Sequence, residues 1–123
     1  MVINLCEFVS ALNHSLLSGQ HSFRVSNTSK NLHFARYLRK SGYLIAFVPS
    51  QAFIRIWPRQ SLPNFRRITS ASTPSRSVYY GRHRITSELR AGRTYFLFSN
   101  GYFYDSYYAV QSNMGGFVVA RVS

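Results

Sequence analysis

Four histidines, one cysteine and three carboxylates are the side chains best suited to acid–base, nucleophilic or metal chemistry. They are His14, His21, His33, His83, Cys6, Glu7, Glu88 and Asp105. No two histidines have the H-x-x-x-H spacing of a zinc site carried on a helix, and a single cysteine cannot supply the remaining ligands. The three carboxylates lie far apart in the sequence. We therefore predict no metal, no cofactor and no enzymatic activity, with a nuclease that uses two histidines as acid and base left as an alternative.

Three short polar segments offer a different chemistry, the hydrogen bonding of an RNA-binding surface. Ser99-Asn100-Gly101 follows a strand-like run, and Gly101 permits close approach of the backbone to unstacked bases or a minor groove. Asn113-Met114-Gly115-Gly116 can present backbone amides to phosphate. Ser72-Thr73-Pro74-Ser75-Arg76 places hydroxyls and a cation around a proline. Taken singly, each is explained as well or better by an ordinary turn or connector.

The charge of the chain favours a polyanionic partner. Fifteen Lys and Arg residues stand against three Asp and Glu, which gives a formal net charge of +12 over 123 residues. A polyanion relieves the repulsion among these cations, and release of its counterions drives binding. Only Lys30 and Lys40 are Lys, so 13 of the 15 cations are Arg, which binds phosphate through two hydrogen bonds and stacks on bases. The cations of the second half include Arg66, Arg67, Arg82, Arg84, Arg90 and Arg93.

A membrane protein is the competing explanation of this charge. No apolar run approaches the roughly 20 residues that cross a bilayer. The first predicted helix has no cationic face, because no Lys or Arg precedes Arg24. Residues 1–8 have neither the basic start of a signal peptide nor the Arg-rich pattern of a transit peptide. The sequence therefore predicts no membrane partner, and no small-molecule substrate.

The hydrophobic periodicity predicts an α+β fold of two small lobes. Residues 1–60 have the pattern of an N-terminal α-β-α-β-β lobe, with helices over 5–16 and 29–40 and strands over 21–25, 43–48 and 52–57. Asn27-Thr28-Ser29 offers N-cap oxygens for the second helix, and Gly42 is expected just beyond its end. The prolines at 58 and 63 mark the boundary between the lobes.

Residues 61–123 are predicted to form a mostly antiparallel β lobe with short helices. The predicted strands cover 65–72, 76–80, 94–98 and 117–122. Thr86 or Ser87 is expected to cap a short helical turn, and Asp105 to Gln111 forms a second short helix.

Several segments of the chain match, in order and spacing, the motifs of one known family. Ser72 to Tyr79 is similar to a Ser-Lys-Pro-Gly-Leu-Arg-Val-Tyr hairpin, and Leu97 to Gly101 lies where a Ser-Thr-Ser-x-Gly motif is expected. Asp105 and Ala109 match a Thr-Asp-x-x-Ala helix start, and Gly115 to Ala120 resembles a closing Gly-Gly-Glu-x-x-Ala strand. Together they resemble the universal small-subunit ribosomal protein eight family over nearly the whole chain. Ser29-Lys30 matches more loosely.

The departures from the family motifs concern base contacts rather than the fold. Leu97 and Phe98 replace two hydroxyls of the Ser-Thr-Ser motif, and Phe117 replaces the Glu. Thr73 and Ser75 stand where the hairpin has Lys and Gly. These changes predict a fast-diverging organellar member. Because the chain starts where the family usually starts, a mitochondrially encoded protein is favoured over a plastid or bacterial one.

The resemblance implies a non-enzymatic ribosomal protein that binds a central-domain helix of small-subunit rRNA early in assembly, beside neighbouring small-subunit proteins. The second lobe is expected to do most of the docking. The predicted RNA-binding residues are Ser29, Lys30, Arg66, Arg67, Ser72, Thr73, Pro74, Ser75, Arg76, Tyr79, Ser99, Asn100, Gly101, Gly115 and Gly116. A non-specific basic RNA-binding protein, either a chaperone or a nuclease, is the alternative.

Overall fold

Two helices and three strands form the first part of the fold, in the predicted order. The structure is a computed structural model that describes residues 5–60, 62, 63, 65–70 and 78–123. The first elements are α1 (Cys6–Ser18), β1 (Phe23–Ser26), α2 (Ser29–Lys40), β2 (Leu44–Pro49) and β3 (Phe53–Pro58). The predicted α-β-α-β-β order is confirmed.

The helices begin and end where local chemistry satisfies their backbone groups. The Thr28 side chain accepts a hydrogen bond from the Asn31 amide at 3.2 Å, so Thr28 is the N-cap of α2. Ser41 is the C-cap, and Gly42 follows with φ of 89°, a left-handed conformation that favours glycine. The apolar stripe of α1 is buried as predicted, with Phe8 fully covered.

β1, β3 and β2 form an antiparallel sheet in that order. Alternation along its strands sends Val25, Ile54 and Ile56 to one face, where all three are buried. The opposite face carries exposed side chains, among them Arg24 and Arg55, which are directly paired across β1 and β3. The sheet therefore has one buried face and one solvated face.

The boundary between the two halves lies later in the chain than predicted. Residues 7–68 pack as one unit, here the N-terminal unit, whereas the sequence placed the boundary at residue 60. The reason is that the segment after Pro63 returns to this unit. The ring of Phe65 lies 4.8 Å from that of Tyr43, and the Ile68 amide donates a hydrogen bond to the Asn13 side chain at 3.0 Å.

The second unit, here the C-terminal unit, covers residues 69–123 together with Leu5 and Cys6. The strands of its sheet are β4 (Ile68–Ser70), β5 (Tyr79–Tyr80), β6 (Thr94–Ser99), β7 (Tyr102–Asp105) and β8 (Gly116–Val122). The strand order is β4-β8-β6-β7, and β5 also pairs with β8. Two helices, α3 (Arg82–Arg90) and α4 (Ser106–Gln111), complete the unit.

A core of six buried residues joins the helices of this unit to one face of its sheet. They are Ile85, Tyr95, Leu97, Tyr104, Ala109 and Val118. α3 and α4 supply one residue each, so both helices cover the same side of the sheet. The predicted α+β class, with short helices and an antiparallel second sheet, is confirmed.

Two elements of the C-terminal unit differ from the prediction. α3 begins at Arg82 rather than near Thr86, because Gly81 is the N-cap and the Thr86 hydroxyl instead donates to the Arg82 carbonyl inside the helix. β7 was not predicted, since the chain was expected to continue irregularly from Gly101 to α4. Asp105 is confirmed as the start of α4, where its carboxylate accepts from the Tyr108 amide at 2.9 Å.

Candidate nucleic-acid interface

The Ser99-Asn100-Gly101 segment forms a hairpin turn at one end of the C-terminal sheet. Ser99 pairs with Tyr102, so Asn100 and Gly101 alone connect β6 to β7. Their φ angles are 53° and 81°. A two-residue loop with positive φ at both positions is a type I′ turn, for which Asn-Gly is a preferred sequence. Both residues are exposed, so this tight turn projects into solvent in a defined conformation.

Gly115 and Gly116 lie at the same end of the sheet as the turn. β8 runs antiparallel to β6, and Phe117 pairs with Phe98, the residue before Ser99. The beginning of β8 is therefore beside the end of β6. No local pattern predicts this proximity, because a strand and a helix separate the two segments in the chain.

Tyr79 belongs to the third predicted segment at this end of the sheet. It pairs with Phe117, and the two ring centroids are 5.2 Å apart in an edge-to-face arrangement. The side chain of Tyr79 is 57% exposed, which leaves much of the ring open to a partner. We call the set formed by these three segments the sheet-end cluster. Its members are Tyr79, Ser99, Asn100, Gly101, Gly115 and Gly116.

Close packing explains why glycine occupies position 115. An added Cβ would lie 2.7 Å from the hydroxyl oxygen of Tyr79 and 2.7 Å from the backbone carbonyl oxygen of Tyr80. The backbone of β5 thus approaches residue 115 too closely for a side chain. Packing alone therefore requires glycine at position 115, whether or not Gly115 also contacts a ligand.

Tyr104 on β7 also contacts the cluster, and it was not predicted from the sequence. Its hydroxyl donates a hydrogen bond to the Gly115 carbonyl. Burial raises the pKa of the Tyr104 hydroxyl, while a hydrogen bond with the Ser99 side chain acts to lower it. Because Tyr104 lies on β7, the strand that follows the turn, its hydrogen bond to Gly115 links the hairpin to the glycine segment. The Asn-Gly pair at the turn could have revealed β7, and with it this tyrosine.

Some of the predicted RNA-binding residues lie outside this cluster. Ser29 and Lys30 begin α2, and Arg66 and Arg67 precede β4, so all four belong to the N-terminal unit. All four are exposed. For Arg66 and Arg67 this corrects the prediction, which assigned them to the second lobe, and the packing of Phe65 is the reason. Ser72, Thr73, Pro74, Ser75 and Arg76 lie outside the described residues.

Two of the second-half arginines have a carboxylate partner. Arg93 Nη1 donates to Glu88 Oε2 at 2.9 Å, and Arg84 Nε lies 3.9 Å from Glu88 Oε1. The Arg84 guanidinium also lies 4.0 Å from the ring centroid of Tyr80. Arg84 and Arg93 are therefore partly neutralised within the protein. Arg82 and Arg90 on α3 are exposed.

The Glu88 network makes stability depend on pH. The hydrogen bond from Arg93 lowers the pKa of Glu88 below 4.5, with burial opposing and the Tyr95 hydroxyl and Arg84 assisting. A carboxyl whose pKa is lower in the folded state stabilises the fold above its unfolded pKa. That contribution is lost as the pH falls through the folded pKa. We therefore expect Glu88→Gln to lower the melting temperature at neutral pH, and the difference from wild type to shrink below pH about 4.

Thermal unfolding by circular dichroism across this pH range measures the effect. Arg93→Gln is the matched variant, because it removes the principal partner of Glu88. Its melting temperature should also fall less steeply with acid than that of wild type. A Glu88→Gln difference that stays constant from neutral to acidic pH would show that the ion pair contributes nothing to stability.

Three further exposed tyrosines of the C-terminal unit were not among the predicted RNA-binding residues. Tyr102 follows the turn directly and is 71% exposed, and Tyr107 and Tyr108 are exposed on α4. Helical spacing is a signal that distinguishes the last two. Ser106 and Ala109 are three residues apart and share the buried face of α4, whereas the intervening Tyr107 and Tyr108 point away from it.

The side chains with metal-binding potential do not cluster in the described part of the chain. His14, His21, His33 and His83 are all exposed and lie on different elements or loops. No three His, Cys, Asp or Glu side chains come together among the described residues. Within the same residues, no helix has both the length and the apolar character needed to cross a membrane.

Comparison of the sequence with protein-family models and with curated proteins finds no match.

Proposed function

We propose that this protein is a structural component of the small ribosomal subunit that binds a helix of small-subunit rRNA through the sheet-end cluster. One observation carries the proposal. Three segments centred on Tyr79, Ser99 and Gly115 were predicted separately to bind RNA, and they converge at one end of a sheet. A ribosomal protein of this kind acts without catalysis, by stabilising one RNA fold over its competitors.

The chemistry of the cluster suits the surface of an RNA helix. The wide, shallow minor groove of RNA displays 2′-hydroxyls and base edges, which hydroxyls and amides can recognise. The cluster offers the hydroxyls of Ser99 and Tyr79, the amide of Asn100, and open space beside the backbone of Gly101. Gly115 and the buried Gly116 are instead packed against tyrosines of the protein itself. Because the turn is a paired hairpin held by Tyr104, little ordering is needed when RNA binds.

Cations of the C-terminal unit support the proposed docking on RNA. Arg82 and Arg90 are exposed on α3, and no carboxylate is paired with them among the described residues. Phosphate contacts from such residues fix the position of a protein on RNA, while groove contacts carry the specificity. The net charge of +12 supplies the long-range attraction.

We further propose that the protein works in an organellar, most simply mitochondrial, ribosome beside neighbouring small-subunit proteins. The support is the resemblance of the motifs and their divergence. Sedimentation of native extracts through a high-salt gradient tests the proposal. We expect the protein in the small-subunit fractions, and its recovery only at the top of the gradient as free protein would contradict the assignment.

A non-specific RNA-binding protein is the second candidate. Both units carry exposed cations, which favour this second candidate. Those of the N-terminal unit include Arg36, Arg39, Arg66 and Arg67. Contacts to the backbone alone give similar affinities for unrelated RNAs and a steep loss with salt. Equal binding of an rRNA central-domain helix and an unrelated helix of the same length would select this second function.

A further inference from the structure

The solvated face of the N-terminal sheet combines two arginines with aromatic rings. Arg24 pairs directly with Arg55, which pairs on its other side with Val48. Phe53 and Trp57 are two residues before and after Arg55, so they share its face. Four of these residues are exposed and Trp57 is half-buried. We call Arg24, Val48, Phe53, Arg55 and Trp57 the arginine–aromatic face.

The charges on this face are not neutralised by the protein. Like charges directly opposite each other in a sheet are destabilising. All three carboxylates of the chain are engaged elsewhere: Glu88 with Arg93, Asp105 at the start of α4, and Glu7 with Ser26 and Asn31. Among the described residues, neither arginine of this face has a carboxylate within ion-pair distance. An anion bound between the two would relieve their repulsion.

Neutral partners hold both guanidinium groups in place. The Arg24 guanidinium carbon lies 4.6 Å from the ring centroid of Phe53, a cation–π contact. Arg55 Nη1 donates a hydrogen bond to the Ser22 hydroxyl at 3.1 Å. Neutral partners therefore orient both side chains, which lowers the entropy lost when an anion binds.

The shape of the face favours an extended ligand over an enclosed one. Its residues, with Ser50, line an open groove of 250 Å³. Pockets for small molecules enclose about 300–1,000 Å³. Cationic grooves lined with aromatic side chains are typical of surfaces for single-stranded nucleic acid, where phosphates contact the cations and bases stack on the rings. An acidic peptide would use the charges but not the rings.

We propose that the arginine–aromatic face binds single-stranded RNA, with backbone phosphates at Arg24 and Arg55 and bases stacked on Phe53 and Trp57. This surface is distinct from the sheet-end cluster, since it belongs to the other unit and takes unpaired rather than helical RNA. The inference does not depend on the ribosomal assignment. It gives the protein a second kind of RNA contact.

Trp57 is the only tryptophan of the chain, so its fluorescence reports on this face alone. We expect an oligouridylate of roughly ten nucleotides to quench the fluorescence of the full-length protein, more weakly as salt rises. Arg24→Gln combined with Arg55→Gln should weaken binding and reduce the slope of log affinity against log salt by about 1.4, at about 0.7 per lost phosphate contact. Phe53→Ala should weaken binding by about 5- to 150-fold with the slope unchanged.

Arg36→Gln combined with Arg39→Gln is the matched control, because it removes the same charge from α2 in the same unit. An equal loss of affinity in this control would overturn the proposal, as would stronger quenching by an oligoglutamate of equal length. Circular dichroism of each variant establishes that it is folded. Ser99→Ala combined with Gly101→Val should leave oligouridylate binding unchanged, which separates this inference from the proposed binding of the rRNA helix.

Discussion

Replacing Gly115 by alanine is expected to lower the free energy of unfolding by about 1–3 kcal/mol. The new Cβ would lie 2.7 Å from the backbone carbonyl oxygen of Tyr80. That carbonyl belongs to β5, whose Tyr80 is paired with Gly116, so it cannot move away without disturbing the strand pair. Urea unfolding measures the change as a lower midpoint with an unchanged slope.

Gly81→Ala is the control for this substitution. It lies close to Gly115, but no atom is within 4 Å of its Cβ position, and its φ of −71° is accessible to alanine. We expect Gly81→Ala to cost less, about 1 kcal/mol or below, because alanine is only a poorer N-cap for α3 and meets no close contact. Equal destabilisation by the two substitutions would show that β5 does not constrain residue 115 in the way described. If the Gly115→Ala protein remains folded, it should also bind the rRNA helix more weakly, because Tyr79 is displaced.

Ser99→Ala combined with Gly101→Val is expected to reduce affinity for the central-domain rRNA helix by tenfold or more, about 1.4 kcal/mol. The first change removes a hydroxyl from the groove contact. The second places a β-branched residue at φ of 81°, which strains the type I′ turn. Filter binding or fluorescence anisotropy with the isolated helix measures the loss.

Two further variants make the comparison specific. Asn100→Gly keeps the turn, because Gly-Gly also adopts type I′ geometry, so it isolates the side chain of Asn100 from the backbone of the hairpin. Arg39→Ala removes a cation from α2 in the N-terminal unit and should weaken binding of this helix less than the Ser99 and Gly101 double change. The reverse ranking would place the rRNA interface on the N-terminal unit.

Much of the fold could be predicted from local patterns. The apolar spacing of α1, the cap at Thr28 and the glycine after α2 all depend on neighbours within a few residues, and each prediction is confirmed. β7 was missed because it has four residues and leads directly into α4. The start of α3 was missed because Arg82-His83-Arg84 shows no apolar periodicity, and its Gly81 cap uses no side chain.

The candidate site depends on strand pairing, which single-sequence patterns do not give. Ser99 and Gly115 were each explained as well or better by ordinary turns when considered alone, and only the pairing of β6 with β8 brings them together. The arginine–aromatic face could be predicted in part from the sequence. Arg55 alternates with Ile54 and Ile56 in the sequence, a pattern that indicates a solvated face for Arg55. The same alternation puts Phe53 and Trp57 beside it, but the facing Arg24 required the register of β1.

Ultraviolet cross-linking in the native cell, with mass spectrometry of the peptide–RNA adducts and sequencing of the attached RNA, tests the central claim most directly. We predict adducts on the hairpin at Ser99 to Gly101 or on Tyr79, joined to a central-domain helix of small-subunit rRNA. Adducts to other RNAs alone, or a C-terminal unit free of adducts while the protein is bound to ribosomes, would contradict the proposed interface.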